Sequence, residues 1–426
     1  MEVYESKEYK RGRTGYIMQS AFDYFISIMI TDAFLAKLLT SIGISDALAG
    51  IIASFISFAF LFQLLSIALA NRIRNTKYVV SAVDFLSQVC FISIYTVPFM
   101  NLSMELKSAI TVILVIAAYM MKYVVSSIYF KWANSFVDPL HRAEFSAGKE
   151  IISLLGGIVF TLAMGYIVDA FDASGNTAGG FIFIAAVMLV LNILNFASFM
   201  MIPNEPHKEE KKAAPKGALF KNTFGNKSFR NVVIMTALWE IGRYSSYGFM
   251  GTFKTNDLLI SVSTIQIINT AANIIRMIVS KPFGRFSDKF SYAKGFELAF
   301  AIAGTGFLLN FFTTPKTWWI IIIFTVLYYV SLAGTNQNSS NIMYSYVDSD
   351  YIVQAIAIKN SIAGVLGFAA SLGASRILSW VQANGNTVFG IPMYGQQLLS
   401  GISFVIILIA LLFTKLVIEK QKTMVQ

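Results

Sequence analysis

The sequence predicts an all-α membrane protein with twelve transmembrane helices in two pseudo-symmetric six-helix bundles. Three observations carry that reading. Of 426 residues, 56% are hydrophobic and only 13% charged, where a soluble domain of ordinary make-up carries about 25% charged residues. The apolar excess falls into runs long enough to cross a bilayer, which takes roughly 20 residues each. The two halves of the chain also repeat one another at constant offsets.

The runs between charged breaks place helices near 15–41, 45–70, 78–101, 108–132, 146–171, 180–202, 230–256, 260–284, 294–312, 318–342, 352–381 and 396–417. The N-terminal run is too long for a cleavable signal, and Gln19, Asp23 and Asp32 interrupt it. Basic residues alternate by loop. Arg72, Arg74 and Lys77, then Arg142, the stretch Lys208 to Arg230, Arg285 with Lys289, and Lys420 with Lys422 lie on one side. The other side offers little beyond Lys107, Lys254 and Lys316. Basic residues collect in cytoplasmic loops, so both termini are expected in the cytoplasm. The polar segment 203–229 reads as a cytoplasmic linker between bundles 1–202 and 230–426.

Composition excludes other classes. The net charge of +10 follows this topology and does not signal nucleic acid. Cys90 and two histidines provide no metal-binding cluster and no internal disulfide, so neither metal nor cofactor is expected. A membrane enzyme would need paired acids or a phosphate-binding loop on one face, and a receptor would need a signalling domain for which the tails leave no room. Missing disulfides and short loops fit a bacterial inner membrane, and the expected form is a monomer.

The repeat is explicit. Asp23 aligns with Glu240, Lys37 with Lys254 and Arg72 with Lys289 at an offset of 217; Asp138 aligns with Asp348, Lys149 with Lys359 and Gly157 with Gly367 at an offset of 210. Two parallel six-helix halves are the architecture of a secondary transporter that works by alternating access. At these residues the chain resembles the major facilitator superfamily. That family's loop signature is Gly, three residues, Asp, then a basic residue, and Gly284, Asp288 and Lys289 match it in the second half. The first copy carries Asn71 where the acid would stand. The resemblance implies the major facilitator fold and a cytoplasmic gate built on Gly284, Asp288, Lys289 and Asp348.

Ionisable groups inside membrane helices cost at least ~2.5–3.5 kcal/mol at the bilayer centre, and so mark cavities or partners. In the eighth run Gln266, Asn269, Asn273, Arg276 and Ser280 share one helical face. The fourth run shows a similar face in Tyr119, Lys122, Ser126 and Tyr129, and the tenth carries polar residues around Asn338. Lys122 and Arg276 with these amides and hydroxyls would suit a carboxylate or phosphate on a hydroxylated solute. Lys359 adds a second-half cation, and Trp239 with Arg243 a stacking and charged pair on the seventh run. Asp23 and Glu240, the symmetry-related acids, are candidates for coupling to a proton, with sodium as the alternative ion; Arg243, three residues on, could instead hold Glu240 in a pair. The expected function is proton-coupled import of a small polar anionic solute, an organic acid or acidic glycoside. A neutral sugar symporter, an organic-anion exchanger and a metabolite or drug exporter are the alternatives on the same fold.

Overall fold

The computed structural model describes residues 2–69, 73, 75–138, 142–204, 225–347 and 352–421. Helices dominate it: α1 Lys7–Met29, α2 Asp32–Ser41, α3 Asp46–Ala59, α4 Gln63–Leu69, α5 Thr76–Ile94, α6 Met104–Asn134, α7 Arg142–Ala173, α8 Thr177–Met201, α9 Lys227–Tyr244, α10 Val262–Lys289, α11 Tyr292–Asn310, α12 Ile320–Tyr344, α13 Ile352–Ala383 and α14 Gly395–Phe413. Among the described residues nine helical stretches are long and apolar enough to cross a membrane. Helices α1, α9 and α11 occupy three further expected positions and are not among those nine.

Polar side chains set several helix starts. Ser6 and Ser103 accept from backbone N–H groups three residues on at the heads of α1 and α6. Asn176 does the same for Gly179 at α8, and Asn226 for Ser228 and Phe229 at α9. Each such cap satisfies an N–H that the helix leaves without a partner.

Several expected single spans are broken, the seventh among them, where α9 ends at Tyr244 and a 3-10 turn at Tyr247–Phe249 and a π turn at Phe253–Asp257 follow. The first divides between α1 and α2 where Asp32 takes a φ of 47°, a left-handed conformation that a short polar side chain tolerates and a continuous helix does not. The second passes through a 3-10 turn at Phe60–Phe62 before α4. A feature that the helical periodicity did not anticipate follows α13: Thr387–Val388 pairs antiparallel with Ile391–Pro392. Phe389 and Gly390, both at positive φ, make its two-residue turn.

The contacts divide the chain into two compact units. One comprises Met1–Ser45, Phe62–Glu210 and Ser261–Gln266, the other Asp46–Leu61, Lys211–Ile260 and Ile267–Gln426. In the first unit, Trp132 stacks on Phe199 with ring centroids 6.2 Å apart and donates to the Pro203 carbonyl at 2.8 Å. Tyr16, Val125 and Phe136 close around it in a buried cluster. In the second, Ala47, Phe249, Ala374, Leu378 and Leu399 form a core, and α13 packs against α3 and α9.

No more than half of any spanning window is buried. The outward side chains are apolar, including Ile113, Val159, Ile182, Ile278 and Leu416. An apolar surface on this scale requires a nonaqueous surrounding. The protein is an integral membrane protein.

Candidate functional site

Within the second unit the helices enclose a cavity of about 220 Å³. Thr236, Trp239, Glu240 and Arg243 reach it from α9 at helical spacing, and Thr335, Asn336 and Ser339 from α12. Asn360, Ala363 and Gly364 of α13, Phe60 and Phe296 complete the wall. Small residues let the helices come this close. The position of a Cβ on Gly364 would lie 2.3 Å from the Ser57 carbonyl oxygen, and the Ser57 hydroxyl donates to the Gly364 carbonyl at 2.8 Å.

The charges in this wall are incompletely satisfied. Arg243 Nη1 lies 3.6 Å from Glu240 Oε1, its Nη2 donates to the Tyr244 hydroxyl at 3.0 Å, and the guanidinium sits 4.7 Å from the Tyr244 ring centre. Glu240 Oε2, Arg243 Nε and Thr335 Oγ1 are buried without a hydrogen-bond partner among the described residues, whereas Asn338, expected from the sequence as a solute contact, does not line this cavity. Unmet buried polar atoms of both kinds are unusual in a native interior, and they need a water, an ion or a ligand. Directly behind the wall, the fully buried Lys359 ammonium donates to the Ser339 carbonyl and hydroxyl, each at 2.6 Å. These oxygens are neutral, so Lys359 lacks an acid of its own there. One face of Trp239 is taken up by Phe300, on which it stacks with ring centroids 5.4 Å apart.

Other residues singled out in the sequence lie elsewhere. In the second unit, Asn269 is buried and Asn273 and Arg276 half-buried on α10, and none of the three lines this cavity. Arg276 has no ion pair among the described residues, and its carbonyl accepts from Ser280. Gly284, Asp288 and Lys289 end α10, with Asp288 and Lys289 exposed and the Lys289 ammonium 5.3 Å from the Phe290 ring. Asp348 lies outside the described residues.

The first unit holds a second polar cluster. Lys122 Nζ contacts Asp23 Oδ1 at 2.6 Å, and Gln88 Nε2 donates to the same oxygen at 2.7 Å. Lys122 is thus committed to an acid inside its own unit. Tyr129 donates to Gln19, and Ser126 to the carbonyl of Tyr123 in its own helix. Lys149 donates to Ser20 at 3.0 Å and lies over the Tyr16 ring at 4.6 Å. Sequence reasoning passed over Asp84, which is buried on α5 and accepts from Asn195 at 2.7 Å. The signal was available, since Asp84 is the only acid inside that apolar run and lies one helical turn before Gln88.

A family model described as Major Facilitator Superfamily matches residues 17–371. The chain belongs to the major facilitator superfamily. Solved structures of that fold agree. A mutant of the nucleoside transporter NupG superposes with a TM-score of 0.70 at 13% identity, covering 95% of this chain and 99% of that one. An inward-facing bacterial homologue of the human lysosomal transporter Spinster gives 0.67 at 15%, covering 96% and 97%. A D-xylose-proton symporter gives 0.64 at 14%, covering 95% and 96%. No curated protein matches the sequence. At these identities the likeness establishes the fold, and with the family it makes this protein a secondary transporter of a small-molecule solute.

Proposed function

We propose that the protein imports a small polar organic anion, an organic acid or acidic glycoside, by alternating access coupled to a proton. The observation that carries the reading is Lys359, a buried ammonium whose hydrogen bonds among the described residues go to Ser339 oxygens, behind a cavity whose other charges, Glu240 and Arg243, offset each other. One negative charge on the solute would balance the site. The unmet donors and acceptors around the cavity suit hydroxyls on the same molecule. Similarity in fold to nucleoside and xylose carriers agrees with a ring-bearing solute of this size.

Glu240 is the proposed coupling group, because one of its oxygens is buried without a partner among the described residues and its contact to Arg243 is long. Asp23 shares the symmetry position but is held by Lys122 and Gln88. Gly284, Asp288, Lys289 and Asp348 are proposed as the cytoplasmic gate, and the bacterial inner membrane, with both termini in the cytoplasm, as the setting.

The test is thermal unfolding of the detergent-purified protein against organic acids and uronides, each paired with a neutral analogue, at pH 5.5 and 7.5. A ligand at 100 times its Kd adds about 2.7 kcal/mol. Acids should raise the transition and their neutral partners should not, and Lys359→Gln should remove the difference. Equal shifts from both members of a pair overturn the anion reading and favour a neutral sugar or glycoside, which the Glu240–Arg243 pairing would also accommodate.

A further inference from the structure

Behind the Asp23–Lys122 pair lies a group of oxygens that the transport reading does not use. Asp84 and Gln88 stand one turn apart on α5, facing Asn192 and Asn195, three residues apart on α8. Gln88, Asn192 and Asn195 are fully buried, and Asp84 nearly so. The amide nitrogens are accounted for: Asn195 donates to Asp84 Oδ2 at 2.7 Å, Gln88 to Asp23 at 2.7 Å, and Asn192 to the Phe85 carbonyl at 3.3 Å. Gln88 Oε1, Asn192 Oδ1 and Asn195 Oδ1 have no partner among the described residues.

The cluster therefore has an excess of acceptors. It offers a carboxylate and three amide oxygens, and the nearest cation, Lys122, is in contact with Asp23. Lys149 is directed to Ser20. In a membrane interior no bulk water compensates such oxygens, and each unmet group costs several kcal/mol. Hard oxygen ligands around one carboxylate, without thiol or imidazole, are the donor set of an alkali or alkaline-earth cation. One acid with neutral amides matches a single positive charge, and the described residues contain no group of three or more acids, histidines or cysteines to hold a multivalent metal.

We propose that the first unit binds one sodium ion between α5 and α8, through the Asp84 carboxylate and the amide oxygens of Gln88, Asn192 and Asn195. Complete burial favours an ion that sheds its water and is small enough to be enclosed by side chains from two packed helices. The ion would hold α5 to α8 and complete the polar network that reaches the Lys122–Asp23 pair.

The experiment is thermal unfolding of the full-length detergent-purified protein in sodium, potassium, calcium or choline chloride at matched ionic strength and pH 7.5, with ²²Na⁺ equilibrium binding alongside. Sodium should raise the transition saturably above choline, with one ²²Na⁺ bound per chain. Asp84→Asn should abolish both effects. Asn192→Leu keeps the charge and fills the space. It should weaken sodium binding at least tenfold while leaving the transition in choline undiminished, so a response lost in this folded variant is not a folding failure. The proposal is overturned if sodium and choline give the same transition, if potassium or calcium serves equally well, or if Asp84→Asn leaves the sodium response intact. A rise produced by acidification alone, with no sodium effect, would instead place a proton on Asp84.

Discussion

Two carboxylates show how much the immediate partner decides. Asp23 has Lys122 in contact and both side chains are about a quarter exposed. Removing the cation leaves the acid in a poorly solvated place. Breaking a fully buried pair costs about 3–5 kcal/mol, and partial exposure lowers the expectation for Lys122→Met to about 2 kcal/mol. Asp23→Asn in the same chain should restore most of that loss, a non-additivity that a double-mutant cycle of thermal melts would reveal; strictly additive losses would show that the pair does not couple. Asp257, beyond the end of α9, differs. Burial first and the neighbouring Asp46 second raise its pKa from 3.8 to about 7, despite a hydrogen bond from Gln396. The folded state therefore holds the proton more tightly than the unfolded chain. That stabilisation is present on the acid side and is lost as pH rises from about 4 through about 7. The melting temperature should fall across that window, and Asp257→Asn should flatten the fall; an unchanged profile in the variant would assign the dependence to other groups.

The same contrast explains which site residues were legible in the sequence. Glu240, Arg243 and Trp239 were visible as polar or aromatic interruptions of one apolar run, and the structure brings them to one cavity. Arg276 was equally visible and lies off that cavity, because a polar stripe marks a helical face without saying what the face meets. Lys122 was read as a solute contact, and only the fold reveals that Asp23, 99 residues away in sequence, takes up its charge.

At the scale of elements, periodicity located the helices and capping chemistry set their ends, but the breaks within runs depended on single backbone angles. Nothing in the apolar pattern of residues 15–41 requires the turn at Asp32. The glycines were more informative than their low helix propensity suggests. Gly364, on α13, lies against the Ser57 carbonyl of α3, and Gly367 against Glu240, Tyr244 and the Ser57 hydroxyl. A methyl at Gly364 meets backbone, which cannot rotate away, so Gly364→Ala should force α13 from α3, break the Ser57 bond and cost about 1–3 kcal/mol. Gly373→Ala, where an added Cβ meets nothing within 4 Å, is the matched control on the same helix. A replacement of glycine in a helix otherwise stabilises by about 1 kcal/mol, so the control should melt at or above the parent. Equal behaviour of the two variants would show that the α3–α13 approach has slack.

For the whole molecule, the charge distribution makes the strongest claim that a sequence can make about orientation. The segments expected inside carry Arg72, Arg74, Lys77, Arg142, Arg285, Lys289, Lys420 and Lys422, in addition to the lysines of the linker. The opposite side is poorer still once the fold is considered. Lys254 is buried, and Lys107 is tied to the Pro98 carbonyl at 2.9 Å. Lys316 is left in the turn between α11 and α12. An inner bias of this size resists translocation of the basic segments. A green fluorescent protein fused after Gln426 should therefore fluoresce in bacterial cells, and alkaline phosphatase at the same place should be inactive. Phosphatase inserted at Lys316 should be active, since that turn would face the periplasm. The reverse pattern would invert the protein in the membrane. The turn proposed as a cytoplasmic gate would then face outward, and import would have to be rewritten as export through the same cavity.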